Sequence, residues 1–514
     1  MIQRQAGPNV TQLPQKLRYD PAFTPQAGST VLRKLSVTVV VLVVIIALLL
    51  INALRKPTLQ PEPQSATSHP VDAQASAARL AGALKIATHS HTADPATLAP
   101  FNELEAYLRT QYPHTHQTLK VERIQDGGLL YTWPGRDASL PAVLLTAHLD
   151  VVPADDAALW QQPPFGGVIK DGFIWGRGAL DDKVSALGIL EAVEQLTRSG
   201  YQPQRTLLLA FGWDEEIGGH LGAEQIASTL KARGTKISWL VDEGGALLNQ
   251  SPLPAKGSIA TIGIAEKGYA SVALDAEAHG GHSSMPTNDS AIMHLSLALQ
   301  HLQAKPYPAR ISGVTGTMFD WLTPDMPLGY RMIFGNRTVF GRVLSWAISR
   351  SPSGNALLRT TQAPTIIQAG SQDNVIPSQA HAVINLRLLP GETPEAVLTR
   401  FTEIVKDPQV KLSLLPGARA SSPISPVDTE GFRQIAGTIR GVFPGTTVAP
   451  YLVVGATDAR HYEALTPNIY RFLPVPFGPD DLKRFHGRDE RIAIKDYAET
   501  IRYYDVLIQV GTRE

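Results

Sequence analysis

Beyond about residue 100, apolar residues follow two alternating patterns along the chain. Helical spacing occurs in FNELEAYLRTQY, KVSALGILEAVEQLTRSG and AEQIASTLKARG, whereas AVLLTAHLD, TLLLAFGW and SWLVDEGG are typical of buried strands. The two kinds of segment follow one another in β-α-β-α order. This order predicts an α/β fold with a mostly parallel sheet and helices on both of its faces.

A much longer apolar segment lies near the N-terminus. Residues 35–54, LSVTVVVLVVIIALLLINAL, carry no charge and reach the length of about twenty residues that crosses a membrane as a helix. A cleaved signal peptide and a buried core helix are the alternatives, but the length and late start favour an uncleaved anchor. Arg4, Lys16 and Arg18 favour a cytoplasmic tail over residues 1–34. The remaining chain would then be periplasmic, extracellular or lumenal.

Residues 55–76 follow the predicted anchor and are rich in Pro, Ser and Gln. Such a composition is typical of a solvated linker. We therefore expect this segment to act as a tether that holds the folded part away from the bilayer.

Composition limits the chemistry that the chain can perform. The 514 residues include 46 basic and 46 acidic side chains, so no net charge favours nucleic acid as a partner. The length suggests two or more domains. Cysteine is absent, which excludes disulfides, thiolate ligands and a cysteine nucleophile. Any metal site must therefore use His, Asp and Glu.

Four segments bring such residues to the ends of predicted strands or to a turn before a helix. Ligands of α/β sheets gather at the carboxyl ends of the strands. The residues are His148 and Asp150 after AVLLTAHL, Glu215 and Glu216 after TLLLAFGWD, Asp242 in SWLVDEGG, and Asp181 in WGRGALDDK.

Each group also has an ordinary structural explanation when it is taken alone. His148 and Asp150 could satisfy a local hydrogen bond, Asp181 could cap a helix, and Asp242 could cap a turn. However, residues i and i+2 of a strand share a face, so His148 and Asp150 can serve one site. Asp150 could then accept a hydrogen bond from the imidazole nitrogen that does not bind metal. The common position of all four groups favours one shared polar site.

The motifs, taken in order, resemble the signature series of a known enzyme family. They are TAHLDVVP, PPFGG with DGFIWGRGALDDK, DEEIGG, VDEGG, HGGHSSMP and FHGRDERI. The series resembles the zinc-dependent aminoacylase and carboxypeptidase family, the M20 peptidases, and is most similar to its carboxypeptidase S and N-acyl amino acid hydrolase branch. The resemblance covers about residues 77 to 510.

The resemblance implies two zinc ions per subunit, held by five side chains. His148 and Asp242 would bind one ion and Glu216 and His486 the other, while Asp181 would bridge both, with the peptide bond after it cis as in relatives. Two divalent ions bring four positive charges against three ligand carboxylates, which explains the crowded acids. Cobalt or manganese could occupy the same ligands.

The resemblance also implies the catalytic roles. Glu215, the acid left over from the ligand set, would be the general base for a hydroxide poised between the two ions, and it would return the proton to the departing amine. Asp150 would orient His148. His282 of HGGHSSMP would stabilise the developing oxyanion, and in relatives this histidine often acts across a dimer.

The same likeness divides the chain beyond the linker into domains. Residues 77–265 and 416–514 would form the two parts of the catalytic domain, and residues 266–415 an inserted α+β lid and dimerisation domain. Extra material over about residues 305–360, around YPARISGVTGTMFDWLTP, would either shape access to the site or serve packing or dimerisation.

Contacts with the substrate are expected from the lid and from the loop before the last ligand. The resemblance implies that Asn374 and Arg387 hold the substrate and its carboxylate, for which an arginine fork is suited. A purely structural role of Arg387 remains an alternative. Thr457, Asp458 and Arg460 of VVGATDARHYEAL would line the substrate pocket.

These features predict a membrane-anchored di-zinc amidohydrolase. Its substrate would be an N-acyl amino acid or a short peptide with a free carboxylate, and it would form a homodimer through the lid. The alternative is a catalytically silent relative that binds peptide or metal. A structural membrane protein does not explain why the polar clusters lie at strand ends.

Overall fold

The computed structural model describes residues 26–67, 69–90, 98–155, 157–250, 255, 257–478 and 480–513. Most of the predicted cytoplasmic tail, residues 1–25, lies outside this range. The chain divides into two units at Asn52 and Ala53, and the larger unit contains every element described below except most of the first helix.

The helices carry the labels used below. They are α1 Gln26–Arg55, α2 Ala73–Leu84, α3 Leu98–Gln111, α4 Pro113–Thr118, α5 Lys183–Arg198, α6 Ala223–Ala232, α7 Ala291–Ala304, α8 Gly313–Leu322, α9 Leu328–Gly335, α10 Arg337–Ile348, α11 Pro352–Leu358, α12 Pro394–Val405, α13 Glu430–Val442 and α14 Ile494–Gly511.

The strands are β1 Lys120–Ile124, β2 Gly128–Trp133, β3 Ala142–His148, β4 Val168–Lys170, β5 Phe173–Trp175, β6 Leu207–Gly212, β7 Ile237–Leu248, β8 Ile259–Glu266, β9 Gly268–Glu277, β10 Gly281–His282, β11 Thr361–Ala369, β12 Val375–Ile376, β13 Gln379–Leu388, β14 Val410–Leu414, β15 Thr447–Val453, β16 Ile469–Phe477 and β17 Arg491–Ala493.

The main sheet is mixed and has the order β1-β2-β6-β3-β7-β16-β8-β15. The pairings of β3 with β6 and β7, of β7 with β16 and of β8 with β15 are parallel, whereas β1, β2 and β6 pair antiparallel at one edge. Every residue of β3 and β6 is buried, because both faces of these central strands are covered. The continuous apolar runs of the sequence have this origin.

The inserted domain has its own sheet and its own core. Its strands follow the order β11-β13-β9-β14 with antiparallel pairing throughout. Leu274 of β9 and Leu386 of β13 pack with Leu295 of α7 and Phe401 of α12 in a separate cluster of buried residues. Because these residues bury one another, the inserted segment forms a separate α+β layer within the larger unit, Ala53–Glu514.

The extra segment over residues 305–360 forms α8 to α11 and packs away from the core of the inserted domain. Val314, Met318 and Phe319 of α8 and Leu344 of α10 belong to the same buried cluster as the catalytic sheet, and α8 lies against β15. The insertion is therefore an extension of the core of the main sheet, although its sequence lies between β9 and β11 of the second sheet.

The linker is held to the catalytic domain, which differs from the solvated tether expected from its composition. The side-chain amide of Gln60 donates to the carbonyl of Val448 and accepts its N–H, both at 2.8 Å. The N–H of Gln64 donates to the carbonyl of Gly437 at 2.8 Å, and His69 contacts Asp505 at 3.0 Å. The proline and glutamine content of residues 57–67 and 69–70 correctly indicates the lack of helix and strand there. It does not indicate whether these residues bind to the folded domain.

Helix α1 extends the predicted membrane segment at both ends. Its stretch Lys34–Arg55 is long and apolar enough to cross a membrane, with a mean hydropathy of 3.2. A signal sequence would meet the same criteria of length and composition.

Candidate metal and catalytic site

Asp181 lies between two histidines that come from distant parts of the chain. Its Oδ1 is 2.9 Å from Nε2 of His148, at the end of β3, and its Oδ2 is 3.0 Å from Nε2 of His486, in the loop before β17. Glu216 adds a second carboxylate at 3.1 Å from Nε2 of His486. One carboxylate is thus shared by two imidazoles, which is the arrangement that a bridging ligand of two ions requires.

The orientation of His148 leaves one ring nitrogen for a ligand. Its Nδ1 lies 3.0 Å from the backbone carbonyl of Asp150, and a carbonyl only accepts, so Nδ1 carries the hydrogen. In neutral His148, Nε2 would present a lone pair to the surrounding carboxylate oxygens, and two acceptors do not attract each other. A cation between them removes this conflict, so the donor set fits a metal ion.

The electrostatics of the cluster also favour bound positive charge. Hydrogen bonds to Asp181 and Glu216 raise the pKa of His486 to about 10. Burial lowers the pKa of His148, but its hydrogen bonds to Asp150 and Asp181 outweigh this and raise it well above its usual range. The carboxylates therefore hold a positive charge at each imidazole, where divalent ions would replace the protons.

The third carboxylate of the cluster is Glu243, not the expected Asp242. Oε1 of Glu243 is 3.4 Å from Nε2 of His148, whereas Asp242 accepts hydrogen bonds from the Thr146 hydroxyl and the Ala459 N–H, both at 2.7 Å. Adjacent strand residues point to opposite faces, so only one of the two acids can face His148. The motif VDEGG contains both acids, and the orientation of the two side chains on β7 determines which of them faces His148.

Asp150 ties the turn with the two glutamates to the end of β3. Its carboxylate accepts the N–H of Glu215 at 3.2 Å and the N–H of Glu216 at 3.0 Å, and it also accepts the hydroxyl of Ser90 at 2.6 Å. The carboxylate lies 3.3 Å from Nδ1 of His148, farther than the carbonyl of the same residue. Asp150 thus positions both the histidine and the glutamate pair.

Glu215 lies beside the same carboxylates, and its own pKa is raised rather than lowered. Desolvation, followed by the nearby carboxylates of Asp458 and Glu243, raises the pKa of Glu215 well above its usual range. A glutamate whose pKa is raised is suited to take up a proton and release it again.

Glu490 is a positioning residue that the sequence analysis did not identify. It is fully buried, and its Oε1 accepts the N–H groups of Gly178, Leu180 and Asp181 at 3.0, 2.7 and 3.1 Å. Arg177 donates to its other oxygen at 2.7 Å. The peptide bond after Asp181 is cis, as the resemblance implied. The signal was present, because Glu490 belongs to the motif FHGRDERI.

A cavity of about 910 Å³ begins directly after the glutamate pair. It lies between the turn at Ile217 and Gly218, the start of the inserted domain and the loop with Arg460. Arg460 donates to the carbonyl of Gly218 at 2.6 Å. Lys267 and Arg419 also line this space, together with Glu224, Glu266 and Glu463, so its wall carries charges of both signs.

Thr457 and Asp458 lie behind this wall, which argues against the expected contact with substrate in the pocket. Both are only 3% exposed, and Thr457 donates to Glu266 at 2.6 Å. The carboxylate of Asp458 sits against Gly212 and Gly219, where any larger side chain would collide with it. Thr457 therefore supports the segment that carries Arg460, whereas both carboxylate oxygens of Asp458 are buried without a hydrogen-bond partner in the described part of the chain.

The expected lid residues occupy exposed or half-buried positions in the inserted domain. His282 is exposed, and its Nδ1 accepts the N–H of Ser284 at 3.1 Å, so Nε2 carries the ring hydrogen. Asn374 is exposed and lies beside it, since its carbonyl accepts the N–H of Ser283 at 3.2 Å. Arg387 stacks on Tyr269, with 5.1 Å from its guanidinium carbon to the ring centroid.

A second group with metal-ligand chemistry lies at the edge of the cavity. Nδ1 of His220 is 2.6 Å from Oε2 of Glu224, and Nδ1 of His461 is 3.8 Å from the same oxygen. His220 is exposed, and a His–Glu pair at i and i+4 of a helical turn is also a common surface ion pair.

Comparison with known proteins shows the family of the chain. The model of peptidase family M20/M25/M40 matches residues 144–510. The chain is 36% identical over 479 residues to the probable carboxypeptidase S-like 2 of Dictyostelium discoideum, covering 91% of this chain and 92% of the relative. It is 36% identical over 436 residues to the human N-fatty-acyl-amino acid synthase/hydrolase PM20D1, covering 84% and 86%.

Solved structures share the fold. The M20 metallo-carboxypeptidase Sso-CP2 of Sulfolobus solfataricus superposes with a TM-score of 0.61 at 17% identity, covering 85% of this chain and 99% of that one. Human carnosine dipeptidase 1 gives the same TM-score at 15% identity, covering 86% and 96%. The chain belongs to peptidase family M20/M25/M40, and it is an enzyme of the peptidase and amidohydrolase class.

Proposed function

We propose that the protein is a membrane-anchored di-zinc amidohydrolase. It cleaves the amide bond of N-acyl amino acids or of short peptides that have a free carboxylate. The observation that carries this proposal is the position of Asp181, whose two carboxylate oxygens are shared by His148 and His486.

The ligand set follows from the same contacts. We assign His148 and Glu243 to one ion, His486 and Glu216 to the other, and Asp181 to both. The bound ions would supply Lewis acidity and lower the pKa of water from about 15.7 toward about 7. Nitrogen and oxygen ligands also accept cobalt or manganese.

Glu215 then moves the proton of the reaction. It takes a proton from the attacking water and returns it to the amine that leaves when the amide C–N bond breaks. The raised pKa of Glu215 supports this double role. His282 would donate its Nε2 hydrogen to the oxyanion from the inserted domain of a second copy, which makes the active unit a homodimer.

The substrate class rests on charge and on the relatives. Arg460 in the cavity wall and Arg387 nearby in the inserted domain supply guanidinium groups for a carboxylate. The relatives named above are a probable carboxypeptidase S-like protein and an N-fatty-acyl-amino acid synthase/hydrolase. A membrane anchor at residues 35–54 would place the enzyme where lipophilic acyl amino acids accumulate, and a tethered peptidase would use the same site.

The test is hydrolysis by the purified full chain in detergent, with and without chelator. Long-chain N-acyl amino acids are compared with blocked dipeptides, and the released amino acid is quantified. We expect turnover of at least one substrate group, loss with chelator and recovery with zinc. Turnover that survives complete metal removal would exclude the di-zinc site. Metal binding without any turnover would identify the catalytically silent alternative.

A further inference from the structure

The insertion carries an exposed face of apolar and basic residues. Val339, Val343 and Trp346 of α10 follow one another at the spacing of a single helical stripe, and their exposed fractions are 63%, 64% and 59%. Leu328 and Tyr330 of α9 are exposed as well, at 52% and 48%. We call these five residues the insertion face. An apolar group of this size on a soluble surface marks an interaction site.

The opposite side of α10 fixes this orientation. Leu344 is buried in the catalytic core, and Phe340 and Ile348 pack against the same cluster. A rotation of α10 about its axis that buried the exposed stripe would expose Leu344, Phe340 and Ile348, so the present orientation of the helix is fixed by packing. The exposed stripe needs a partner outside the described fold.

Charge points to the nature of the partner. From Met326 to Gln372 the sequence contains five arginines and no Asp or Glu, in a chain whose net charge is zero, and one of the five, Arg337, pairs with Asp320 at 2.8 Å. Arg342 is exposed next to Val343, and Arg350 stacks on Trp346 at 4.3 Å. Tryptophan and arginine beside apolar residues are typical of surfaces that lie at the headgroups of a bilayer.

The position of the insertion along the chain gives the second argument. Arg331 of α9 caps the C-terminal end of α1, donating to the carbonyls of Ala53 at 3.0 Å and of Leu54 and Lys56 at 3.3 Å. These carbonyls lack partners within the helix, so the arginine satisfies them. Ala53 is fully buried, and Gly335 of α9 packs directly on it. Chain connectivity alone then puts the last residue of the proposed membrane span beside α9.

We propose that the insertion face docks on the surface of the lipid bilayer, with anionic headgroups bound by the flanking arginines. This inference rests on the proposed anchor at residues 35–54 and extends it, since the anchor fixes only one point of the folded part. The insertion adds a second contact and sets which side of the enzyme faces the lipid.

The absence of cysteine from the chain allows a direct test. The full chain with Val343→Cys is labelled with an environment-sensitive fluorophore and placed in nanodiscs that contain phosphatidylglycerol. Thr110→Cys is the matched control, because this exposed residue of α3 lies near β1, at the opposite edge of the sheet from β15 and α8. Lipids carrying a doxyl quencher near the headgroup report contact with the bilayer.

We expect a blue shift at position 343 and quenching by the doxyl lipid that is several-fold stronger than at position 110. Equal quenching at the two positions would overturn the inference. A blue shift at 343 without lipid quenching would identify a second copy of the chain as the partner and would also overturn it.

A second experiment tests the anchor separately from the docking. The chain is reconstituted in liposomes of the same lipids and washed at alkaline pH, and the protein that stays with the lipid is measured. A chain that resists extraction while the probe at 343 stays in water disproves the docking alone. A chain that is released by alkali disproves the anchor, and the quenching at position 343 then decides the docking alone. The hydrolysis assay remains independent of both results.

Discussion

Asp242 accepts a hydrogen bond from the hydroxyl of Thr146 on the neighbouring strand at 2.7 Å. Its second oxygen accepts the N–H of Ala459, also at 2.7 Å. Both oxygens of this acid are therefore engaged within the protein, and the adjacent Glu243 is the acid that approaches His148. The two neighbours should respond differently to the same chemical change.

We predict that Glu243→Gln lowers the zinc content of the purified chain, because it removes a charged ligand. Asp242→Asn should retain the zinc but lose about 1–3 kcal/mol of stability, since an amide cannot accept on both of its atoms. Elemental analysis and urea unfolding measure the two effects. Zinc loss in Asp242→Asn with full zinc in Glu243→Gln would reverse the assignment.

Glu215→Gln should keep the metal and lose the reaction. Replacing the base removes proton transfer, and we expect kcat to fall by a factor of about 10² to 10⁴. Glu216→Gln is the matched control, one residue away, and should lose metal as well as activity. A Glu215→Gln enzyme with near-normal kcat would assign the base elsewhere.

The buried pair of Arg471 and Glu266 should be essential for stability. Their atoms Nε and Oε1 are 2.6 Å apart, and the two residues are 1% and 2% exposed. Glu266→Gln leaves the guanidinium without a counter-charge, which we expect to cost about 3–5 kcal/mol of unfolding free energy.

The double variant Arg471→Met with Glu266→Gln completes the cycle. It should lose clearly less stability than the sum of the two single variants, as measured by denaturant unfolding. Additive losses would show that the two side chains do not interact.

Lys267 predicts a specific dependence of stability on pH. Burial lowers the pKa of its ammonium group to about 8 from the ordinary value of 10.5. Its Nζ donates to the carbonyls of Ala356 and Arg359 at 2.9 and 2.8 Å. Between these two pKa values the unfolded chain holds more protons than the folded one, so stability rises with pH.

The contribution of Lys267 across this window is up to about 3 kcal/mol. In the Lys267→Met variant this rise in unfolding free energy between pH 8 and pH 10 should be absent, so the difference in stability between the two proteins, measured by urea unfolding at each pH, should change across this window. Identical pH dependence in wild type and variant would contradict the prediction.

The sequence was informative wherever one physical rule decided the outcome. The fully buried β3 and β6 have continuous apolar runs because both of their faces are covered. The rule that ligands gather at strand ends predicts that His148, Asp181 and Glu216 lie together; in the structure Asp181 contacts both His148 and His486, and Glu216 contacts His486.

Other features depend on contacts that composition and period do not encode. Asp242 and Glu243 are adjacent acids, and only the register of β7 shows which one faces the histidine. Thr457 and Asp458 belong to the motif that predicted the lining of the substrate pocket, but both side chains are buried beneath the segment that carries Arg460. The segment over residues 305–360 joins the catalytic core through α8, although its neighbours in sequence belong to the other domain.

In the proposed membrane-anchored enzyme, the attachment of residues 60–69 to the domain of the main sheet would limit how far the folded part reaches from its anchor. A slack segment of this linker's length would let the folded part wander over roughly 25 Å around its point of attachment. With Gln60 fixed to Val448 and His69 to Asp505, that search is removed. Encounters of the proposed anchored enzyme with its substrate would then depend on how fast the substrate itself diffuses, and a longer chain between residues 69 and 73 would not restore the lost freedom.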